Sequence, residues 1–218
     1  MTYMECVLGF ISKKPYRIPI YSNEIAGLLM ECFVMEEKEA GAAAAVCVKR
    51  IMDQGLIPEL RCYQKGIYFL AKQTVFGELG IDHNQLIEDK YIVPDIGYDT
   101  GYWLLHRMGL TTQLPATRTI ATNKAVKRAR VDKKLEVTIC PPKTTVTEQN
   151  REYLRTLDVL DMLKDAPIDA DDPYLIIADF IRRQKLRYDI LLATADRYYG
   201  KNAVLELAHT AGRGGIAI

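Results

Sequence analysis

Residues 36–72 read EEKEAGAAAAVCVKRIMDQGLIPELRCYQKGIYFLAK, and this stretch decides the fold expected for the first part of the chain. Its first half, residues 36–54, is rich in strong helix formers, opens with acids and is closed by Gly55, which predicts a long helix. In the second half, strand-forming residues flank Gln64-Lys65-Gly66 on both sides, which predicts a β-hairpin.

Two more helices are predicted ahead of this stretch. Residues 2–13 carry apolar side chains at helical spacing, and Pro15 stops the pattern. Ser22 or Asn23 can then cap a helix that runs to about Phe33. Three helices followed directly by a hairpin is the order of a winged helix-turn-helix, so we expect that fold in residues 1–74.

The composition of the sequence changes after residue 72, where glycine and proline residues separate short segments. We therefore expect a second domain over residues 75–218. Three β-branched runs, RTIAT, VKRARV and LEVTIC, predict a three-stranded antiparallel meander. Helical periodicity predicts helices over 84–91, 100–108, 147–164, 173–184, 186–199 and 201–211. The fold class expected is α+β, with a winged helix-turn-helix followed by a mixed α/β domain that has a small antiparallel sheet and C-terminal helices.

Composition is that of an ordinary globular protein, with 49% apolar residues and a net charge of +1. That charge excludes a polycation that binds nucleic acid indiscriminately, so any DNA contact must come from a local patch. Five cysteines without a CxxC pair predict reduced, buried thiols and no metal site. No apolar run approaches the length of a membrane span, so we expect a cytoplasmic protein.

The third predicted helix and the hairpin hold the candidate DNA contacts. Gly41 and the alanines after it would permit close approach to base edges, while late basic residues reach phosphate. The hairpin tip offers charge and hydrogen bonds to a backbone or minor groove. The candidate DNA-binding residues are Lys49, Arg50, Arg61, Tyr63, Gln64 and Lys65. Alternatively, the run of alanines at residues 42–45 packs against a neighbouring helix and the tip residues have no function.

A second candidate patch is the most basic segment of the chain, which is offset only by Asp132. It consists of Lys124, Lys127, Arg128, Arg130, Lys133 and Lys134. One interpretation is a charged edge strand that resists aggregation. The other is contact with a phosphate-rich partner, either DNA or an RNA.

The sequence holds no constellation typical of catalysis. Asp158 and Asp161 are spaced as neighbours on a solvated helix face, and the aspartates before Pro173 are placed to cap a helix. No phosphate-binding glycine loop or nucleophile elbow is present. We therefore expect a protein that is not an enzyme, without a cofactor or a metal ion.

The predicted winged head, followed by the segment GLTTQLP at residues 109–115 and by Thr122-Asn123, resembles the AbiEi-type antitoxin family. The resemblance covers about residues 20–190, and GLTTQLP is its most specific part. It implies a bacterial antitoxin of a type IV toxin–antitoxin, or abortive phage infection, system. Such an antitoxin represses its own operon by binding promoter DNA through the winged head, and it neutralises a nucleotidyltransferase toxin through its C-terminal domain.

The sequence departs from the family in the third helix, where Val48-Lys49-Arg50-Ile51 holds the place of a Ser/Arg-containing pattern. This departure bears on base reading more than on DNA binding itself. The alternative function is a protein-interaction module whose winged domain no longer binds DNA. The alanine-rich helix and the nearly neutral head favour that alternative.

Overall fold

A computed structural model describes residues 2–215 of the protein, and within them it is an α+β fold. The chain divides into two compact units, the first ending at Leu86 and the second beginning at Ile87. No helix among the described residues is both long and apolar enough to cross a lipid bilayer.

Three helices and a three-stranded antiparallel sheet form the main part of the first unit. Their bounds are α1 Tyr3–Ile11, β1 Ile20–Tyr21, α2 Ser22–Cys32, α3 Glu37–Asp53, β2 Leu60–Gln64 and β3 Ile67–Leu70. The sheet order is β1-β3-β2, so the last strand of the predicted hairpin lies in the centre. The three helices and the hairpin predicted from the sequence are confirmed as elements.

Local sequence explains where these helices begin and which faces they bury. Thr2 and Glu5 form a reciprocal capping box at the start of α1, with hydrogen bonds of 2.8 and 3.2 Å. Helix α3 turns a stripe of small and branched residues inward: Ala40, Ala44, Cys47, Val48 and Ile51. The small side chains let α3 lie close to α1 and α2, which together with the three strands supply the rest of this core.

A second hairpin, β4 (Lys72–Thr74) and β5 (Gly77–Leu79), follows the three-stranded sheet. Arg17 ties the chain after it to the first unit, because its Nε donates to the carbonyl of Gly80 at 3.0 Å and its carbonyl accepts from the amide of Asp82 at 2.8 Å. The boundary predicted after residue 74 falls inside this hairpin, whereas the two compact units divide after Leu86.

The second unit is built on a four-stranded mixed sheet. Its strands are β6 Gly97–Thr100, β7 Arg118–Thr122, β8 Arg130–Asp132 and β9 Val137–Cys140, in the order β6-β7-β9-β8. Strands β7 and β9 are parallel. The predicted antiparallel meander, and with it the small antiparallel sheet, is therefore wrong.

Burial gives the physical reason for this topology. Strand β9 buries Val137 and Ile139, which suits a central position, whereas Arg130 and Val131 of β8 are exposed, which suits an edge. The polar chain before β8 forms an irregular loop instead of a tight turn, so residues 126–129 of the predicted VKRARV strand are not in the sheet.

Helices cover the remainder of the second unit. Their bounds are α4 His83–Tyr91, in which the division between the units falls, α5 Gly101–Arg107, α6 Arg151–Met162, α7 Pro173–Arg183, α8 Tyr188–Tyr198 and α9 Lys201–Gly214. The four helices predicted after the sheet are confirmed. Asp172 caps α7 by accepting from the amide of Leu175, and Pro173 occupies the first helical position, as predicted. Helix α6 is central to the core, with Leu154, Leu157 and Leu160 fully buried.

Candidate nucleic-acid interface

One exposed line of side chains runs along α3 and has a lysine near each end. It consists of Lys38, Ala42, Ala45 and Lys49, all exposed. These residues share a face because eleven residues make just over three helical turns, and the two lysine Cα atoms lie about 16 Å apart along the axis. We call these four residues the alanine stripe. The stripe therefore presents two alanine methyl groups between two cations.

The two basic residues predicted on α3 are both exposed, and they point in different directions because successive helical residues are about 100° apart. Lys49 belongs to the alanine stripe, whereas Arg50 lines an open groove of about 480 Å³ between α1 and α3. Glu39, Tyr3 and Val46 line the same groove. The first turn of α3 also carries the exposed acid Glu37, so the positive charge of the stripe is partly offset at its N-terminal end.

The turn between β2 and β3 presents Lys65 at its tip, with an exposed side chain. Gly66 has a φ of +84°, and a Cβ there would come within 3.3 Å of Ser22 Oγ, so this turn needs glycine. Gln64 is exposed beside Lys65. The ring of Tyr63 packs edge-on against His83 with 5.8 Å between centroids, so Tyr63 has a structural contact within the first unit.

Arg61 is held by intramolecular bonds. Its Nε and Nη2 donate to the two carboxylate oxygens of Glu78 at 3.1 and 2.7 Å, and its Nη1 donates to the carbonyls of Pro58 and Leu60. A bidentate pair of this kind fixes the guanidinium plane. Of the four cations among the six candidate DNA-binding residues, Lys49, Arg50 and Lys65 are exposed, whereas Arg61 is half-buried and paired with Glu78.

The second basic patch is exposed in the second unit. Four of its cations, Lys127, Arg128, Arg130 and Lys133, lie on the loop before β8, on β8 itself and on the turn after it, and we call them the cationic arm. Among residues 2–215, none of these four forms an ion pair. The structure therefore places one cation of the predicted patch on the edge strand β8 and the others in the segments that flank it, with their charges exposed.

The other two members of the predicted patch hold the arm in place. Lys124 donates to the carbonyl of Lys90, and the amide of Lys134 donates to Asp132 at 3.0 Å. Burial alone would raise the pKa of Asp132, but hydrogen bonds from Lys90 and Tyr91 hold that pKa far below its usual value. Asp132 therefore stays ionised, and it anchors the arm to α4.

A polar centre in the second unit surrounds Asp158. Its carboxylate accepts from Thr100 Oγ1 and from the Tyr199 hydroxyl, each at 2.6 Å. Burial raises the pKa of this carboxyl in spite of those bonds. The interpretation of Asp158 as a solvated surface residue was wrong, because on α6 it lies four residues after Leu154 and so on the apolar face.

Asp158 also lines a small pocket of about 180 Å³, together with Cys140, Lys143 and Asp161. Burial raises the pKa of the Cys140 thiol to about 11, so this sulfur is protonated at neutral pH. Lys143 Nζ lies 3.3 Å from Asp161. The arrangement supplies a half-buried acid and an ion pair, but it does not supply an activated nucleophile.

The GLTTQLP segment forms the loop between α5 and β7. Gly109 begins it with a φ of +75°, and Leu110 is fully buried in the second core. Asp169 accepts from both the amide and the hydroxyl of Thr112, at 2.9 and 2.6 Å, and these bonds lower the pKa of Asp169. Leu114 is 73% exposed, so the loop fixes its backbone and presents one apolar side chain.

Sequence reasoning missed two features of this surface and its support. Lys38 was not identified, although its spacing of eleven residues from Lys49 is the signal that joins them. The buried ion pair between Asp99 and Arg118 was not identified either; its Arg118 Nε and Asp99 Oδ1 atoms lie 2.6 Å apart. The pair links neighbouring strands that the run RTIAT alone did not reveal.

No protein-family model matches the chain, and no curated protein matches it.

Proposed function

We propose that the first unit is a winged helix-turn-helix that binds DNA, and that the protein is a bacterial antitoxin of a type IV system. In this proposal it represses its own operon through the first unit and neutralises a nucleotidyltransferase toxin through the second. The observation that carries the DNA-binding part is the chain order: helix, strand, two helices and a hairpin, with strand order β1-β3-β2. The GLTTQLP resemblance supports the antitoxin part.

The alanine stripe supports a specific mode of DNA binding. With α3 in the major groove, Lys38 and Lys49 meet phosphates on its two sides, and Ala42 and Ala45 contact thymine methyl groups. Lys65, at the tip of the β2–β3 turn, meets the backbone beside that groove as a wing does. Gly41 has no side chain and so adds no bulk beside this face.

The cationic arm supports a second phosphate contact, made by the second unit. Its four cations have no ion-pair partner among the described residues, so binding an anion costs no existing pair. Flanking operator DNA and an RNA bound by the toxin carry the same phosphate chemistry. Substitution of the four cations by alanine distinguishes the two partners, because it weakens binding to operator DNA only if the arm contacts that DNA.

A second candidate is a protein-interaction module without DNA binding. Two observations favour it: Arg61 is engaged by Glu78, and Glu37 and Glu39 place negative charge at the end of α3 that would enter the groove. The groove between α1 and α3 offers an apolar surface on the same helix. In this case the head docks a protein partner.

The two candidates are separated by a gel-shift titration with DNA from upstream of the protein's own gene. The triple variant K38A/K49A/K65A should bind at least tenfold more weakly than the parent, while Lys13→Ala, an exposed lysine on another surface, serves as the matched control and should bind as the parent does. Co-purification of a toxin without any shift of promoter DNA by the parent would instead support the interaction module.

A further inference from the structure

Two thiols meet between the first two helices. Cys6 Sγ on α1 lies 3.6 Å from Cys32 Sγ on α2, although the residues are 26 positions apart in the chain. Both cysteines are free in the structure. A disulfide requires the sulfurs to approach to about 2.05 Å, so the gap to close is about 1.5 Å.

The two cysteines differ in accessibility. Cys6 is only 8% exposed, and Cys32, the last residue of α2, is exposed. Burial raises the pKa of the Cys6 thiol, which makes it the slower of the two to react with a dissolved oxidant. An oxidant therefore reaches Cys32 first.

We propose that Cys6 and Cys32 form an oxidation site, which a peroxide converts into an intramolecular disulfide between α1 and α2. The Cys32 sulfur attacks one peroxide oxygen and the O–O bond breaks, which gives a sulfenic acid and water. The Cys6 sulfur then attacks the Cys32 sulfur, the S–O bond breaks and a second water leaves. Two thiols are oxidised by two electrons in total, and one hydrogen peroxide is reduced to two waters.

The other cysteines do not compete equally. Cys47 on α3 is buried, and burial raises its pKa. Cys62 is exposed, but its sulfur contacts the carbonyl of Gln64 at 3.4 Å. Cys140 lies in the second unit. Cys62 is thus a control that matches Cys32 in exposure but has no thiol beside it.

The link fixes the part of the first unit that leads into α3. Tyr3 of α1 already packs on Phe33, the residue after Cys32, with 4.6 Å between ring centroids. A disulfide beside this contact holds α1 against the end of α2, immediately before the α2–α3 turn. This oxidation does not depend on DNA binding, so it stands or falls separately from the proposed function.

The test treats the reduced full-length protein with hydrogen peroxide, alkylates the remaining thiols and maps the cysteines by mass spectrometry. We expect three of the five thiols to remain alkylatable, together with one linked peptide pair that contains Cys6 and Cys32. The oxidised protein should also show a thermal unfolding midpoint several degrees above that of the reduced protein, because a cross-link restricts the unfolded chain.

Variants assign each step. Cys32→Ser, at an exposed position, should form no intramolecular link, and Cys62→Ser should form the same link as the parent. In Cys6→Ser, the Cys32 sulfenic acid should accumulate and be trapped by a 1,3-diketone reagent. Five persistent thiols, a link from Cys6 to Cys47, or a disulfide between two chains through Cys32 would each overturn the proposal.

Discussion

Replacing Arg118 by methionine removes one partner of a buried ion pair and should destabilise the second unit severely. Arg118 donates to both carboxylate oxygens of Asp99, at 2.6 and 3.2 Å, and the two residues are 7% and 8% exposed. Loss of one partner of such a pair costs about 3–5 kcal/mol, since the other charge is left buried. Arg107 lies 3.5 Å from Asp99 and retains part of the attraction, so we expect about 3 kcal/mol.

The only tryptophan of the chain, Trp103, lies on α5 of the second unit, so its fluorescence follows the unfolding of that unit. With a urea dependence of about 2 kcal/mol per molar, the loss shifts the unfolding midpoint by about 1.5 M. Arg107→Met is the matched control: it removes an arginine beside Asp99 that is 55% exposed, and it should cost less than about 1 kcal/mol.

The double variant D99L/R118M completes the cycle. Removal of both charges leaves no unpaired buried ion, since Arg107 and Glu88, which also lose a partner, are accessible to water. This variant should therefore be more stable than either single variant and close to the parent. A loss below about 1 kcal/mol for Arg118→Met, or a double variant whose loss equals the sum of the two single losses, would refute the reasoning.

Three further substitutions have outcomes fixed by local geometry. Gly97→Ala should unfold the second unit, with a cost above about 3 kcal/mol by Trp103 fluorescence, because its Cβ would lie 2.2 Å from the Tyr91 carbonyl oxygen; a stable variant contradicts this. Gly41→Ala should raise the unfolding free energy by about 0.8–1 kcal/mol in calorimetry, since the helical site is open; no gain would show strain there. Because the pKa of Asp158 is higher in the folded than in the unfolded protein, its protonation stabilises the native state fully at pH values below the unfolded-state pKa of about 3.9. This stabilisation is lost as the pH rises through the folded-state pKa. Asp158→Asn should therefore gain stability relative to the parent from pH 4 upward in urea titrations, and a constant difference across that range would exclude the effect.

Helices were predictable where the sequence repeats at helical spacing. The stretch from Glu37 to Asp53 and the four C-terminal helices carry that period together with identifiable ends, and local interactions determine both. Sheet order was not predictable in the same way. Neither RTIAT nor LEVTIC contains a local signal that these two strands pair in parallel, because the order of strands in the sheet depends on which strand the core can bury.

The sequence predicted which charged residues form the candidate site, but it did not predict which of them are paired with other residues. The exposed cations of the cationic arm are evident in the sequence, but their lack of partners depends on the anchoring of Asp132 by Lys90, 42 residues earlier. The engagement of Arg61 by Glu78 likewise joins two hairpins. Contacts of this range arise from tertiary packing, which no local pattern encodes.

A salt titration of DNA affinity tests whether Lys38, Lys49 and Lys65 contact phosphate. Each phosphate contact makes the slope of log affinity against log salt more negative by about 0.9, so three lysines contribute about −2.7. That corresponds to about a fortyfold loss of affinity between about 50 and about 200 mM salt. For DNA from upstream of its own gene, the parent should show a slope at least as steep as about −2.7. For K38A/K49A/K65A the slope should be less steep than that of the parent by about 2.7. Equal slopes for the parent and the triple variant, or no binding by the parent at the lowest salt, would contradict the proposed DNA-binding mode.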